Sequence, residues 1–389
     1  MSLSTTHGTY RTSDSAFLEE RTIAVAQLSE MQNPVNSIAY DIVPEADPID
    51  TITFEWFDTE KNPLTGAVRG ASWDAAAAAS LGIDDNLALS VQIGHVLLID
   101  SEKVVVSAVS SRATGAAAIS VQARGAAGTV GAIHADATAI TIIGAAGIEG
   151  NLDVASVVSA KVKRYNHMQL FTDVHEVSVT TENQKDRSID QTALTNGRVE
   201  TMERMRLMLD RAIIYGGRQE RSGTTTSGMM GGISYFLNTT AGANKVDISG
   251  AFTETKFDDV CLEVRARGGN VDTLLCSPSL KAVFNALLKT NTRYARTEQV
   301  AGQIVNVYDS TIGPIRIVDT PNITDASGEA YLLNTRRLGK MWFKNDSLRF
   351  VEELNVNSRV YRESLQGQMS FFMKNVTVDH ALLYGITYA

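Results

Sequence analysis

The stretch from Ser188 to Gly217 constrains this chain more than any other. Within it Val199, Met202, Met205, Leu209 and Ile213 recur at spacings of three and four, and Arg198, Glu200, Glu203, Arg204, Arg206, Asp210 and Arg211 fill the positions between. That pattern predicts an amphipathic α-helix with one face for burial. Ser188 with Gln191 three residues later fits a capping box, which satisfies N–H groups at a helix start, and Gly216-Gly217 supplies a left-handed exit. At about 1.5 Å per residue the helix would reach roughly 40 Å, the width of a small domain. Everything after it has to pack against this spine. Taken alone, the segment fits a long surface helix of an α/β enzyme equally well.

Composition narrows the choice. With 389 residues the chain can build two or three domains with sizeable cores. Hydrophobic residues at 44% and charged residues at 20% match a soluble protein. The net charge of -9 argues against tight sequence-independent binding of nucleic acid, which needs clustered Lys and Arg to displace counterions. The stretch Met1 to Tyr10 is polar and lacks the apolar core of a signal peptide, and the longest apolar run, Ala139 to Ile148, is too short to cross a bilayer. The expectation is synthesis in the cytoplasm and no membrane partner. Cys261 and Cys276, both in apolar settings, are expected as reduced core thiols. No Cys-x-x-Cys pair occurs and the six histidines lack metal-ligand spacing, so neither a metal nor a cofactor is expected.

In chain order, residues 1–50 carry one helical candidate, Ser15 to Gln32, and breaks at Pro34, Pro44 and Pro48. With few large apolar residues this reads as an arm that lies along another part of the protein or another copy. Ile52, Phe54 and Trp56 then alternate with Thr53, Glu55 and Phe57, and a turn at Lys61-Asn62-Pro63 with a return through Ala67 and Val68 predicts a hairpin. Residues 85–150 are rich in Ala, Gly and Val. Strands expected at Val96 to Ile99, Val104 to Val109, Ala118 to Val121 and Ala139 to Ile143 make them an inserted all-β module. Gly125, Gly128 and Gly131 match neither a dinucleotide fingerprint nor a Walker loop and read as turn formers. His134 beside Asp136 reads as a turn contact rather than half of a catalytic pair.

Val154 to Val162 and Gln169 to Thr180 return to large alternating residues. His167 and His175, on one strand at roughly 3.3 Å per residue, would stand about 26 Å apart and share no ligand. Beyond the spine, Arg218 to Ser234 is a Gly-, Thr- and Ser-rich link. A helix from Thr253 to Ala266 presents Phe257, Val260, Cys261 and Val264 and closes at Gly268-Gly269. A buried strand, Val271 to Cys276, follows, and Ser277-Pro278 opens a third helix to Lys289 with Leu280, Val283, Phe284, Leu287 and Leu288 inward. Further strands are expected at 304–308, 315–319, 330–334, 341–343, 359–365 and 369–379. The fold class is α+β.

The runs Gly231-Gly232-Ile233, Asp272-Thr273-Leu274-Leu275-Cys276-Ser277-Pro278, Gly313-Pro314-Ile315 with Asp319, and Tyr331-Leu332-Leu333-Asn334 follow an arm, a two-stranded loop and a spine helix. In this order they resemble the major capsid proteins of tailed bacteriophages with the Hong Kong 97-type fold, in the branch that carries a β module in its extended loop. The resemblance covers about residues 150–389, and the insertion more loosely. It implies an N-terminal arm at 1–50, an extended loop at 51–84 and 151–180, and the inserted module at 85–150. A peripheral domain with the spine helix takes 181–235 and 331–389, and an axial domain takes 236–330. It further implies self-assembly into hexamers and pentamers, an icosahedral head shell around double-stranded DNA, and a place in the virion. The implied partners are other copies of the chain, a portal protein, scaffold and cement proteins, and packaged DNA through weak non-specific contact.

The resemblance assigns the spine stripe Val199, Met202, Met205, Leu209 and Ile213 to structure, and Phe54, Trp56 and Phe57 to contacts between subunits. The Arg- and Glu-rich face of the spine is expected to meet neighbours or the genome. The prototype carries a long charged scaffolding region before its arm, whereas this chain has a short polar lead, so a separate scaffold protein or none is expected. Two rival readings remain. One is another virion protein, a tail tube or a receptor-binding module. The other is an α+β enzyme using His175 with Glu176 or His380 with Asp379; no nucleophile or oxyanion motif accompanies either pair, and neighbouring side chains on a strand point to opposite faces, so no catalytic residue is expected.

Overall fold

Alternation along a strand sends successive side chains to opposite faces, and in the run Thr273–Cys276 both faces are buried. Leu274 and Cys276 enter one core and Leu275 another; Leu332 and Tyr331 divide in the same way, as do Leu383 and Leu382. Unbroken apolar runs such as Leu274-Leu275-Cys276 therefore mark a sheet covered on both sides. A computed structural model describes residues 6–7, 37–59, 64–70, 73, 80–112, 115–122, 124–146, 161–182, 193–223, 225–290, 297–300, 303–353 and 359–387. The chain divides into two compact units, Met1–Asp58 with Lys163–Ala389, and Thr59–Val162.

In the larger unit the doubly covered sheet has seven strands. Their order is Asn244–Ala251, Ala381–Thr387, Ala330–Leu333, Thr273–Cys276, Gly313–Asp319, Gln303–Ser310 and Thr297–Val300. One face carries helices Glu254–Ala266 and Pro278–Thr290. Phe257, Val260, Cys261 and Val264 are all buried there, as the helical spacing predicts, and the Thr253 hydroxyl caps the first of these helices by accepting from Lys256 N–H. Ser277 Oγ accepts from Leu280 N–H at the start of the second, where Leu280 and Phe284 are buried; the side chains of Leu287 and Leu288 lie outside the described residues. Among the elements that escape the sequence reading are strand Thr297–Val300, helix Ile233–Thr239 and strands Asn244–Ala251 and Ala381–Thr387. The last of these takes the C-terminal segment into the seven-stranded sheet, so the 236–330 boundary expected for that part is too narrow.

The second sheet of this unit runs Thr6–His7, Gln169–Ser178, Val360–Met373, Leu338–Trp342, with Arg349–Glu353 also paired to Val360–Met373. Strand 169–178, expected in an extended loop, is thus a full antiparallel partner of 360–369. The spine helix, Ala193–Tyr215, packs on both strands. Its expected cap at Ser188 and Gln191 lies outside the described residues, as does the helix expected over Ser15 to Gln32. Its exit is not left-handed, since neither Gly216 nor Gly217 has a positive φ. Glycine recurs here for another reason. A Cβ on Gly232 would stand 2.6 Å from Ile213 O and 2.8 Å from Gly216 N, so the link passes backbone against backbone across the helix end.

Residues 37–50, expected in an arm, belong to this core. Helix Ile38–Ile42 buries Ile38 and Ala39 against the spine, and Val43 follows them. The segment then bridges to strand 338–342, with Ala46 N–H donating to Lys340 O at 2.8 Å and Lys340 N–H to Pro44 O at 2.9 Å.

The predicted hairpin is also corrected. Strand Thr53–Thr59 pairs with Lys161–His167 as a two-stranded ribbon, while Thr65–Ala67 joins the smaller unit; the turn expected at 61–63 lies outside the described residues, as does most of Val154 to Val162. In the smaller unit six strands run in the order Thr65–Ala67, Ala139–Ala145, His95–Ile99, Glu102–Ser111, Ala118–Val121 and Ser80–Gly82. The bridge Val68 to Ile83, with Arg69 N–H to Gly82 O and Asp84 N–H to Ala67 O each at 3.0 Å, joins the outer strands and closes a barrel. Strands 65–67 and 80–82 are therefore part of the module, which a start at residue 85 would leave open-edged. Its interior is Leu81, Ile83, Leu97, Ile99, Val104, Ile119 and Ile140 with Leu87 from helix Asp85–Ala88.

Candidate functional site

The spine helix is fastened at two levels. In its first half, Arg198 donates to both carboxylate oxygens of buried Glu363, at 2.6 and 2.5 Å, and the Arg198 guanidinium beside it holds Glu363 below the usual carboxylate range. His175 Nε2 stands 3.4 Å from the same carboxylate, and burial lowers the His175 pKa. Gly197 faces this ring: a Cβ there would come within 2.8 Å of His175 Cδ2. The glycine inside the helix is thus required by packing, although it weakens the helix by about 1 kcal/mol relative to alanine.

In its second half the helix carries Asp210, which is fully buried. Its Oδ1 accepts from Tyr40 N–H at 2.8 Å and its Oδ2 from Asn322 Nδ2 at 2.7 Å. Burial raises its pKa to about 6 against these hydrogen bonds. Arg206 pairs with Asp41 at 2.9 Å, Arg211 donates to Asn322 Oδ1 at 3.0 Å, and Arg204 pairs with Asp173 at 2.9 Å. Lys340 donates to Tyr40 O at 2.6 Å and lies 3.5 Å from the centre of the Tyr40 ring. The arginines expected to meet neighbours or the genome are therefore engaged with partners in their own chain.

Of the predicted stripe, Met205, Leu209 and Ile213 are buried, Val199 is half-buried and Met202 is exposed. The true face continues backward through Thr201 and Gly197, an unbroken series at spacing four. A count of large apolar residues alone passes over it.

The ribbon's two faces differ. Phe54 and Trp56 stack at 5.4 Å, and Trp56 packs edge-on against Phe236 at 5.7 Å. Both were expected to contact other subunits and are instead part of their own core. Asp58 is buried on the same face, accepting from Asn375 N–H at 2.9 Å and from Arg164 Nε at 3.3 Å. Phe57 is 61% exposed on the outer face, with Tyr165 of the paired strand also exposed, and Ile52 is exposed just before the ribbon begins. Buried Asn166 locks the ribbon's end by donating to Phe371 O and accepting from Gly231 N–H.

In the barrel, His134 is buried, with Nδ1 2.9 Å from Asp100 and Nε2 2.8 Å from Glu102, while Asp136 accepts separately from Gly70 N–H. The expected turn contact between His134 and Asp136 is replaced by this network. Lone histidines carry no sequence signal for such a partner, because Glu102 is 32 positions away.

A family model described as SU10 major capsid protein matches residues 4–387. This chain belongs to the SU10 major capsid protein family. The cyanophage A-1(L) capsid asymmetric unit is similar in structure, with TM-score 0.50 and 10% identity over 91% of this chain and 93% of that one. A structure from Mycobacterium phage Adephagia has TM-score 0.49 and 10% identity over 97% of each chain. No curated protein matches the chain. As a major capsid protein of Hong Kong 97-type fold it forms the head shell of a phage, and its place is the virion.

The remaining polar groups of this capsid protein fit a structural role. His175 faces Glu363 and the spine, whereas its sequence neighbour Glu176 pairs with Arg362 at 3.1 Å. His380 is fully buried, its pKa lowered by burial to about 4, and it binds the backbone of Asn334 and Lys374. Cys261 and Cys276 are free and buried, and burial pushes Cys261 up to about 12. Among the described residues no group of three His, Cys, Asp or Glu could hold a metal ion, and no helix is long and apolar enough to cross a membrane.

Proposed function

We propose that copies of this chain close into both hexamers and pentamers, with the ribbon as the adjustable contact between them. The observation that carries this reading is the ribbon's two-faced character: Phe54, Trp56 and Asp58 are fastened in the subunit's own core while Phe57 and Tyr165 face outward. A ring subunit needs contacts that tolerate both five-fold and six-fold closure, and a two-stranded extension rooted at one end can bend where a rigid face cannot. The five-stranded sheet with the spine helix acts as the peripheral domain, the seven-stranded sheet with its two helices as the axial domain, and the ribbon with the barrel as the extended loop.

The shell encloses double-stranded DNA with weak, non-specific contact. Net charge -9 and the internal pairing of Arg198, Arg204 and Arg206 support this, since these three guanidiniums are engaged within their own chain. A portal protein occupies one vertex, and scaffold and cement proteins act during and after closure. The chain performs no catalysis. Light scattering on the purified chain tests the reading: a sharp concentration threshold above which particles of one size form is expected, and a monomer at every concentration would refute it. Phe57→Asp is expected to raise that threshold while leaving thermal unfolding unchanged, because the side chain touches solvent rather than core.

A further inference from the structure

We propose that the loop from Arg124 to Ala137 is a preformed apolar contact, presented by Val130 and Ile133, that a second copy of this chain covers in the shell. Val130 is 83% exposed and Ile133 65% exposed, three positions apart on one loop. Single exposed aliphatics are ordinary on protein surfaces, but this pair is held outward by an unusual investment of buried charge.

Glu102, fully buried at the start of a barrel strand, binds the loop at four residues. It accepts from Arg124 Nε and Nη2 at 2.7 and 2.8 Å, from Gly125 N–H at 2.9 Å, from Ala132 N–H at 3.0 Å, and stands 2.8 Å from His134 Nε2. Arg124 also donates to Ala132 O and lies 3.6 Å from the centre of the Trp73 ring. Trp73 in turn stacks on His134 and exchanges backbone hydrogen bonds with it, at 2.7 and 3.1 Å. Between the two fixed ends, Thr129 Oγ1 accepts from Lys103 N–H at 3.0 Å and donates to Ala126 O at 2.8 Å. A slack loop would fold Val130 and Ile133 under itself. This one is pinned on both sides of them, so covering them costs little conformational entropy.

The size of the patch identifies what covers it. A partner recruited from solution needs roughly 1,200 Å² or more of buried surface, far beyond two aliphatic side chains. Such a patch contributes only where other contacts already hold the occupant beside it. A capsid shell provides this by setting copy beside copy, so the occupant is another subunit. Among the described residues the barrel's outer strands are joined to each other, which leaves side chains rather than a free strand edge to meet a neighbour.

The proposal rests on the shell reading, and its test separates the two. Val130→Cys places one accessible thiol on the loop, because Cys261 and Cys276 are buried. Maleimide labelling is compared between unassembled subunits and shells formed by the purified chain alone. Failure to see shells by electron microscopy before labelling would count against the shell reading itself. Given shells, labelling about tenfold slower than in free subunits is expected. Equal rates in both states overturn the proposal, and so does protection that appears only after a different phage protein is added. In a second arm, Val130→Asp with Ile133→Asp is expected to raise the assembly threshold about tenfold at an unchanged thermal midpoint. An unchanged threshold overturns it.

Discussion

The Oδ1 atom of Asp210 accepts a hydrogen bond from the backbone N–H of Tyr40 at 2.8 Å, joining the second half of the spine helix to a segment 170 positions earlier. The carboxylate does so from a fully buried site, where its other oxygen is bound by Asn322. The charged groups around it are Asp41, paired with Arg206 of the same helix, and Lys340, which binds Tyr40 O. One buried acid thus holds the spine, the root of the N-terminal segment and the loop after strand 313–319 in register.

That acid makes stability pH-dependent. Its pKa rises from 3.8 to about 6 on folding, so its contribution is fully present below pH 3.8 and is lost as pH rises through 6. Two units correspond to about 3 kcal/mol. Asp210→Asn gains no charge at any pH but turns one accepting oxygen into an amide donor, so the gap in thermal midpoint between variant and parent is expected to move in the variant's favour as pH rises from 4.5 to 7.5. A constant gap across that range would show that Asp210 titrates normally.

Removing residues 1–45 is expected to abolish cooperative unfolding, because it takes Ile38, Ala39 and Val43 out of the core and leaves Asp210 without the Tyr40 donor. A buried charge stripped of its partner costs on the order of 3–5 kcal/mol. A sharp thermal transition in the truncated chain would show that the segment is a detachable arm.

Met205 is fully buried at the centre of the series 197, 201, 205, 209 and 213. Met205→Asp is expected to eliminate soluble folded protein, since an unpaired carboxylate there has no hydrogen-bond donor to compensate its lost hydration. Met202→Asp, on the exposed side of the same helix, is expected to leave the thermal midpoint within a degree or two. Equal effects would mean the buried face is misplaced.

The barrel boundary is open to a direct measurement. A peptide of residues 59–162 is expected to show cooperative thermal unfolding by circular dichroism, because it includes strands 65–67 and 80–82 and can close. Residues 85–150 alone are expected to lack it, with both edges unpaired. Folding of the shorter piece would remove the closure from the account.

Where periodicity and local chemistry decide structure, the sequence was legible. Phe257, Val260, Cys261 and Val264 at helical spacing, the cap at Thr253 and the Ser277-Pro278 start all stand where their patterns place them. Long-range pairing was not legible. Thr53–Thr59 finds its partner at 161–167 and not across the nearest turn signal, because the whole barrel is inserted between the two strands. Phe54 and Trp56 looked like contacts for a neighbour only while the aromatic Phe236 that receives them had no place in the fold. Helix Ile233–Thr239 was hidden by the glycines before it, which serve a close backbone crossing rather than a flexible link. The networks around Glu102 and Asp210 join residues far apart in sequence, and single buried acids leave no periodic trace.

Electron microscopy of the purified 389-residue chain tests the central claim most directly. Closed, roughly spherical particles whose reconstruction resolves both six-fold and five-fold rings of this subunit are the predicted result. A uniform monomer at high concentration, or open tubes built from one ring type only, would contradict it.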